Sequence, residues 1–197
     1  MEPLPYTDGA AGTVFTALIV IWVASELLTR LRTRDNQRGT SPEWGSVVAL
    51  AVTFAVGFGA GFHLARHAEG AAIDFARGPI FVLGALLTAA GIAFRQWAIL
   101  VLGRFFTPIV RVSEGQTVVE SGPYRVLAHP SYTGMLMIFV GIGLMLGNWL
   151  SLACLAIVPT AGLVIRIRAE ERVLLAGIGE PYRRFLAGRA RLVPGIW

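Results

Sequence analysis

Apolar residues in this chain fall in long unbroken runs, not in the alternation of a half-buried strand or the single stripe of a surface helix. The first run covers residues 13–28, the second 44–65 and the third 79–102. Each approaches the roughly 20 residues that carry a helix across a hydrocarbon core about 30 Å thick. A fourth stretch, residues 132–165, is too long for one crossing: at 1.5 Å per residue it would reach about 50 Å. Gly147-Asn148 interrupts it, and the pattern predicts a tight helical hairpin of residues 133–146 and 149–165. Both halves are short, and Pro159 is expected to kink the second. The expected fold is therefore all-α: a polytopic integral membrane protein with about five transmembrane helices. The last two form the hairpin, followed by a cytoplasmic C-terminal catalytic region.

Composition agrees. Of 197 residues, 55% are hydrophobic and only 15% charged, against about 25% charged in ordinary soluble domains. The +5 net charge does not call for nucleic acid, because the charges cluster at the ends of the apolar runs, where lipid headgroups meet them. With the Arg30–Arg38 loop placed in the cytoplasm, fourteen Arg lie inside, and only Arg66 and Arg77 lie outside. The positive-inside rule then puts the N-terminus outside and the C-terminus inside. The acidic, Pro-rich first dozen residues lack the basic start of a signal peptide. The chain reads as a single membrane domain. Residues 1–102 hold the first three helices, and 103–197 hold a polar loop, the hairpin and the tail.

Small-residue pairs Gly57-x-x-x-Gly61 and Gly143-x-x-x-Gly147 suit close helix packing. Gly141-x-Gly143 follows no strand and is not a dinucleotide fingerprint. The one cysteine, Cys154, sits in an apolar run and reads as a packing residue. His63 and His67 share a helix face but fall across the membrane from the other polar groups, so no metal site is expected.

Polar chemistry gathers in two segments on the cytoplasmic side. In the first, residues 111–132, Ser121-Gly122-Pro123-Tyr124 is a turn signal. His129-Pro130-Ser131-Tyr132 then leads into the hairpin, with Ser131 placed to cap it. In the second, Arg166 and Glu170 are spaced i, i+4 and share a face. That spacing fits an interfacial ion pair, or a carboxylate on a cofactor beside an Arg that holds an anionic substrate group. Glu26 and Arg95 fall within or near apolar runs, and intramembrane charge flags function.

Taken in order, Ser121-Gly122-Pro123-Tyr124-Arg125, His129-Pro130-Ser131-Tyr132-x-Gly134, Glu170-Glu171, Glu180-Pro181-Tyr182 and Arg191-x-x-Pro194 resemble the isoprenylcysteine carboxyl methyltransferase family. The resemblance covers residues 103 onward, about half the chain. It extends to a wider superfamily that includes phospholipid methyltransferases. It implies a membrane-embedded S-adenosylmethionine site formed by the loop and helix ends. Carried over by position, cofactor contacts fall on Arg111, Gln116, Thr117, Val118, Val119, Tyr124, His129, Pro130, Ser131, Tyr132 and Glu170. Arg166 takes the substrate-side position, and Arg166 and Glu170 are the expected catalytic residues. Two positions depart from the pattern: Ala128 stands where the family commonly has Arg, and Arg111 where a relative has Gln.

The implied reaction is methyl transfer to a carboxylate of a prenylated or lipidic substrate, without metal or nucleic acid. Three alternatives remain open: an amine-lipid N-methyltransferase, which favours a carboxylate such as Glu171 beside the nucleophile; an NADPH-dependent lipid reductase, because a related His-Pro motif occurs in sterol reductases; and a non-enzymatic membrane protein or transporter. Clustering of the polar groups on one face argues against a transporter.

Overall fold

The computed structural model describes residues 2–33, 44–107, 115 and 117–197. A short helix α1 (Leu4–Thr7) precedes α2 (Gly9–Arg32), α3 (Gly45–His67), α4 (Arg77–Leu102), α5 (Pro130–Leu146), α6 (Trp149–Ile178) and α7 (Glu180–Ala187). Among the described residues, α2, α3, the span 77–105 that contains α4, and α6 are long and apolar enough to cross a membrane. Helix α5, with 17 residues, is shorter but lies at the centre of the bundle. Its Ile138, Phe139, Ile142 and Leu146 are wholly buried. Helix α2 lies at the periphery, with Val20, Ile21, Val23, Leu27 and Leu31 exposed where a lipid-facing helix places them.

Backbones approach closely because small residues line the seams. Helix α4 packs along α5, and α3 along α6. On α4, Gly84, Thr88, Gly91 and Arg95 follow helical spacing, and they face Gly134, Ile138, Gly141 and Met145 of α5. A Cβ at Gly91 would stand 2.7 Å from the Gly134 carbonyl oxygen and 2.9 Å from the Ile138 nitrogen. Both are backbone atoms, so the helices would have to separate. Gly91→Val is therefore expected to cost about 1–3 kcal/mol or more. Gly59, whose Cβ would meet nothing within 4 Å, supplies the control. Thermal unfolding in detergent should show a large drop for Gly91→Val and little for Gly59→Val; equal drops would rule out the close-contact explanation.

Gly57 and Gly61 are packing positions as expected: they receive Pro159 and Leu155 of α6. In the second small-residue pair only Gly143 packs, against Leu152. Gly147 instead makes the hairpin turn at φ 61°, a conformation glycine adopts without steric cost. Asn148 completes the turn. Its side chain accepts from the Ser151 N–H at 3.0 Å and donates to the Ala68 carbonyl at 2.9 Å. Cys154 Sγ lies 3.7 Å from the Gly57 carbonyl in the same α3–α6 seam.

Two expectations about the hairpin are corrected. Its second arm does not end near residue 165. Helix α6 runs unbroken through Pro159 to Ile178, so Arg166 and Glu170 share a helix face, as their spacing predicts, but well before the helix ends. Ser131 does not cap α5. The helix begins at Pro130, two residues before the start that a Ser131 cap would give, and His129 occupies the N-cap position without a side-chain cap bond. Proline at the first helical position needs no partner for a missing N–H.

Candidate active site

Helices α2, α4 and α6 run toward one membrane face, and α3 and α5 run back from it. At 1.5 Å per residue, Glu26, Arg95 and Arg166 each lie about 26 Å along their own helices. They therefore share one depth, near one edge of a core about 30 Å thick. A cavity of about 330 Å³ opens at that depth, within the roughly 300–1,000 Å³ range of small-molecule sites.

The C-terminal half of α6 supplies the floor. Arg166, 3% exposed, donates from Nη1 to Ser46 Oγ at 3.0 Å and from Nε to the Tyr132 hydroxyl at 3.3 Å. Tyr132 in turn donates to Glu170 Oε2 at 2.7 Å. This chain of polar contacts holds a cation and a carboxylate on the wall of one cavity. The His129 ring stacks on Tyr132 with centroids 5.8 Å apart.

Glu171 points elsewhere. It lies 3.3 Å from His129 Nε2 and accepts from Arg191 Nε at 2.8 Å. Glu170 is on the cavity wall and Glu171 is not.

The polar loop forms the rim. Thr117, Val118, Val119, Tyr124, Ala128, His129 and Ser131 line the cavity. Val118 and Val119 pack on a cluster of Ala98, Tyr124, Leu174, Tyr182 and Phe185. Burial, reinforced by the Glu170 charge, raises the Tyr124 phenol far above its ordinary value. It stays protonated, with its hydroxyl 3.3 Å from the Ala98 carbonyl. Burial raises Tyr182 in the same way. The tail fastens this rim: the N–H groups of Ala128 and His129 donate to the carbonyls of Ala190 and Arg191 at 2.8 and 3.1 Å. Arg189 reaches the Tyr124 carbonyl at 2.6 Å.

Most of the expected site residues thus converge on one cavity. Pro130 starts α5 and is not on the wall; Arg111 and Gln116 lie outside the described residues. The first three helices contribute more than the sequence pattern assigned to them. Trp22, Glu26, Thr29, Leu50, Phe54 and Arg95 also line the cavity. The isolated charges at Glu26 and Arg95 were the available signal. His63 and His67, with rings 4.4 Å apart, lie at the far end of α3.

A family profile described as phospholipid methyltransferase matches residues 79–178, about half of the chain, from α4 through the end of α6. The chain belongs to the phospholipid methyltransferase family. Within this family it is similar to isoprenylcysteine methyltransferases. It is 34% identical over 115 residues to protein-S-isoprenylcysteine O-methyltransferase A of Arabidopsis thaliana, covering 57% of this chain and 58% of that protein. It is 29% identical over 182 residues to a probable protein-S-isoprenylcysteine O-methyltransferase of Oryza sativa subsp. indica, covering 89% and 92%. Its fold matches a solved eukaryotic intramembrane isoprenylcysteine carboxyl methyltransferase, described as a Ras methyltransferase. The TM-score is 0.66 at 19% identity, covering 98% of this chain and 70% of that one. As a family member the protein is an integral membrane methyltransferase, an enzyme that draws on a methyl donor.

Proposed function

We propose that the protein transfers a methyl group from S-adenosylmethionine to the carboxylate of a prenylated or lipidic substrate, forming a methyl ester. The observation that carries this reading is the two-sided cavity. Glu170, Tyr132, Arg166 and His129 form a polar floor, and Trp22, Leu50, Phe54 and Met135 form an apolar flank among the membrane helices. A polar cofactor and an apolar acceptor need different walls, and this cavity offers both.

The residues suit the donor. Thr117, Val118, Val119, Tyr124, His129, Ser131, Tyr132 and Glu170 would hold it, with Glu170 supplying negative charge toward its cationic groups; the Pro130 ring opens the helix that carries Ser131 and Tyr132. Arg111 and Gln116 extend the proposed set by resemblance. When bound, the donor supplies an electrophilic methyl group on a positively charged sulfur. The chain's own residues then position and shield. Arg166 holds the acceptor carboxylate, already anionic at neutral pH with an ordinary pKa near 4, so no general base is required. The apolar flank excludes water. Anion and cation become two neutral products, and a dry site favours that loss of charge. By the distribution of Arg, the cavity mouth faces the cytoplasm and the N-terminus faces outward.

An N-methyltransferase would want a free carboxylate beside its amine. Glu171 is committed to His129 and Arg191, so the Arg166 side of the cavity suits an anionic acceptor better.

Calorimetric titration of the detergent-purified protein with S-adenosylmethionine, S-adenosylhomocysteine and NADPH tests the cofactor. Both adenosyl ligands should saturate; binding of NADPH alone would overturn the reading. Labelled methyl transfer should then yield a base-labile ester on an S-prenylcysteine acceptor. Base-stable methylation of an ethanolamine lipid would move the protein to N-methylation.

A further inference from the structure

Two charges near the edge of the apolar part of the bundle have no role in the proposed methyl transfer. Arg95, on α4, is 6% exposed. It binds Glu26 of α2 with both oxygens engaged, Nη2 to Oε2 at 2.8 Å and Nε to Oε1. Its remaining fork nitrogen, Nη1, donates to the Ser131 carbonyl at 3.1 Å. Ser131 is the second residue of α5, and this first turn presents both His129 and Tyr132 to the cavity. Both members of the ion pair border the cavity themselves.

Burying an ion pair among membrane helices is costly unless the geometry is good and further hydrogen bonds support it. Here each of the three guanidinium nitrogens makes a bond: two grip the carboxylate, the third a backbone oxygen. Bidentate pairing fixes the plane of the guanidinium, and the fixed plane sets the direction of the third bond. Helix α2 otherwise packs mainly through aromatic contacts, Phe15 on Phe62 and Trp22 on Phe58 and Phe139. A simple staple between α2 and α4 would not need the bond to Ser131.

We infer that Glu26 and Arg95 are positioning residues: Glu26 aims Arg95, and Arg95 fixes the first turn of α5 so that His129 and Tyr132 stand in register with Glu170 and Arg166. The peripheral first membrane helix thereby becomes part of the active-site frame. Its consequence for turnover rests on the methyltransferase reading; its consequence for the α5 turn does not.

The test uses two paired variants of the full chain, each beside wild type. The charge-swapped Glu26→Arg/Arg95→Glu restores an ion pair between α2 and α4 but turns a carboxylate toward the Ser131 carbonyl. The neutral Glu26→Gln/Arg95→Gln keeps amide pairing and avoids buried charge. Hydrogen exchange of the peptide spanning residues 130–136 is read in the protein without ligand, together with the unfolding midpoint. The Tyr132 and Thr133 amides, which donate to the His129 carbonyl at 3.0 and 3.2 Å, should exchange at least about tenfold faster in whichever variant folds. Turnover should fall at least about tenfold through kcat, with S-adenosylhomocysteine affinity changed less. Wild-type exchange at these amides, in either folded variant, overturns the inference whatever the turnover. Altered exchange together with an inactive wild type would instead count against the methyltransferase reading alone.

Discussion

Replacing Glu170 by alanine is expected to weaken S-adenosylmethionine binding at least about 100-fold, close to 2.7 kcal/mol, and to reduce turnover to background. Glu170 is the carboxylate that α6 turns into the cavity, where it accepts from the Tyr132 hydroxyl at 2.7 Å. A hydrogen bond to an ionised group contributes about 1.5–3 kcal/mol, and exclusion of water increases the value of charge complementarity. The fold itself should survive. The loss within the protein is one charge-assisted bond from Tyr132, about 1.5–3 kcal/mol, so the unfolding midpoint should fall by no more than about 12 °C. Glu170→Gln keeps an acceptor for Tyr132 and removes the charge, which separates the two contributions. A loss in Glu170→Gln near that in Glu170→Ala assigns the effect to charge. The comparison of S-adenosylmethionine with S-adenosylhomocysteine locates it, because only the former carries the sulfonium. Binding of both ligands within threefold of wild type in Glu170→Ala would remove Glu170 from the cofactor site.

The apolar spans, the hairpin and the polar loop were legible because each rests on local chemistry. Apolar runs must be as long as the bilayer is thick, and Gly147-Asn148 could both turn the chain and cap the next helix. The far end of α6 was not legible, because hydropathy marks the edge of the membrane and not the end of a helix. Past Ile165 the charged residues keep good helix propensity, and α6 continues to a glycine at residue 179 with φ 74°. Ser131 suggested a cap by its type, but Pro130 before it is better suited to the first helical position, which moved the boundary. Glu26 and Arg95 stood out singly as charges in apolar surroundings. Their union spans 69 residues of sequence, and no local pattern encodes such a pairing. Which way Glu171 turns, away from the cavity that Glu170 lines, has no local signal in sequence either. It depends on Arg191, which the tail brings back beneath α6 through its bonds to the loop before α5.

Arg166→Ala should separate acceptor use from cofactor binding, and the loss should appear mainly in KM. If Arg166 holds the acceptor carboxylate, its attraction is greatest before reaction, when the oxygen bears full negative charge. As the methyl group arrives, that charge is spent and the attraction weakens. An interaction stronger in the bound ground state than in the transition state lowers KM without raising kcat. The acceptor KM, expressed as mole fraction in the micelle, should therefore rise at least about 100-fold, while kcat falls less than tenfold through lost orientation. S-adenosylhomocysteine affinity should stay within about fivefold of wild type, because Glu170 keeps its bond from Tyr132. Arg166→Lys should recover only part of the loss: a lysine retains the charge but cannot present a planar fork to Ser46, Tyr132 and a carboxylate together. A defect confined to kcat with normal acceptor KM would mean that Arg166 acts in the transition state and not as the acceptor's anchor. An equal loss of acceptor and cofactor binding would mean that the Arg166–Tyr132–Glu170 chain works as one cofactor-binding unit, and the carboxylate would need another partner on the cavity wall.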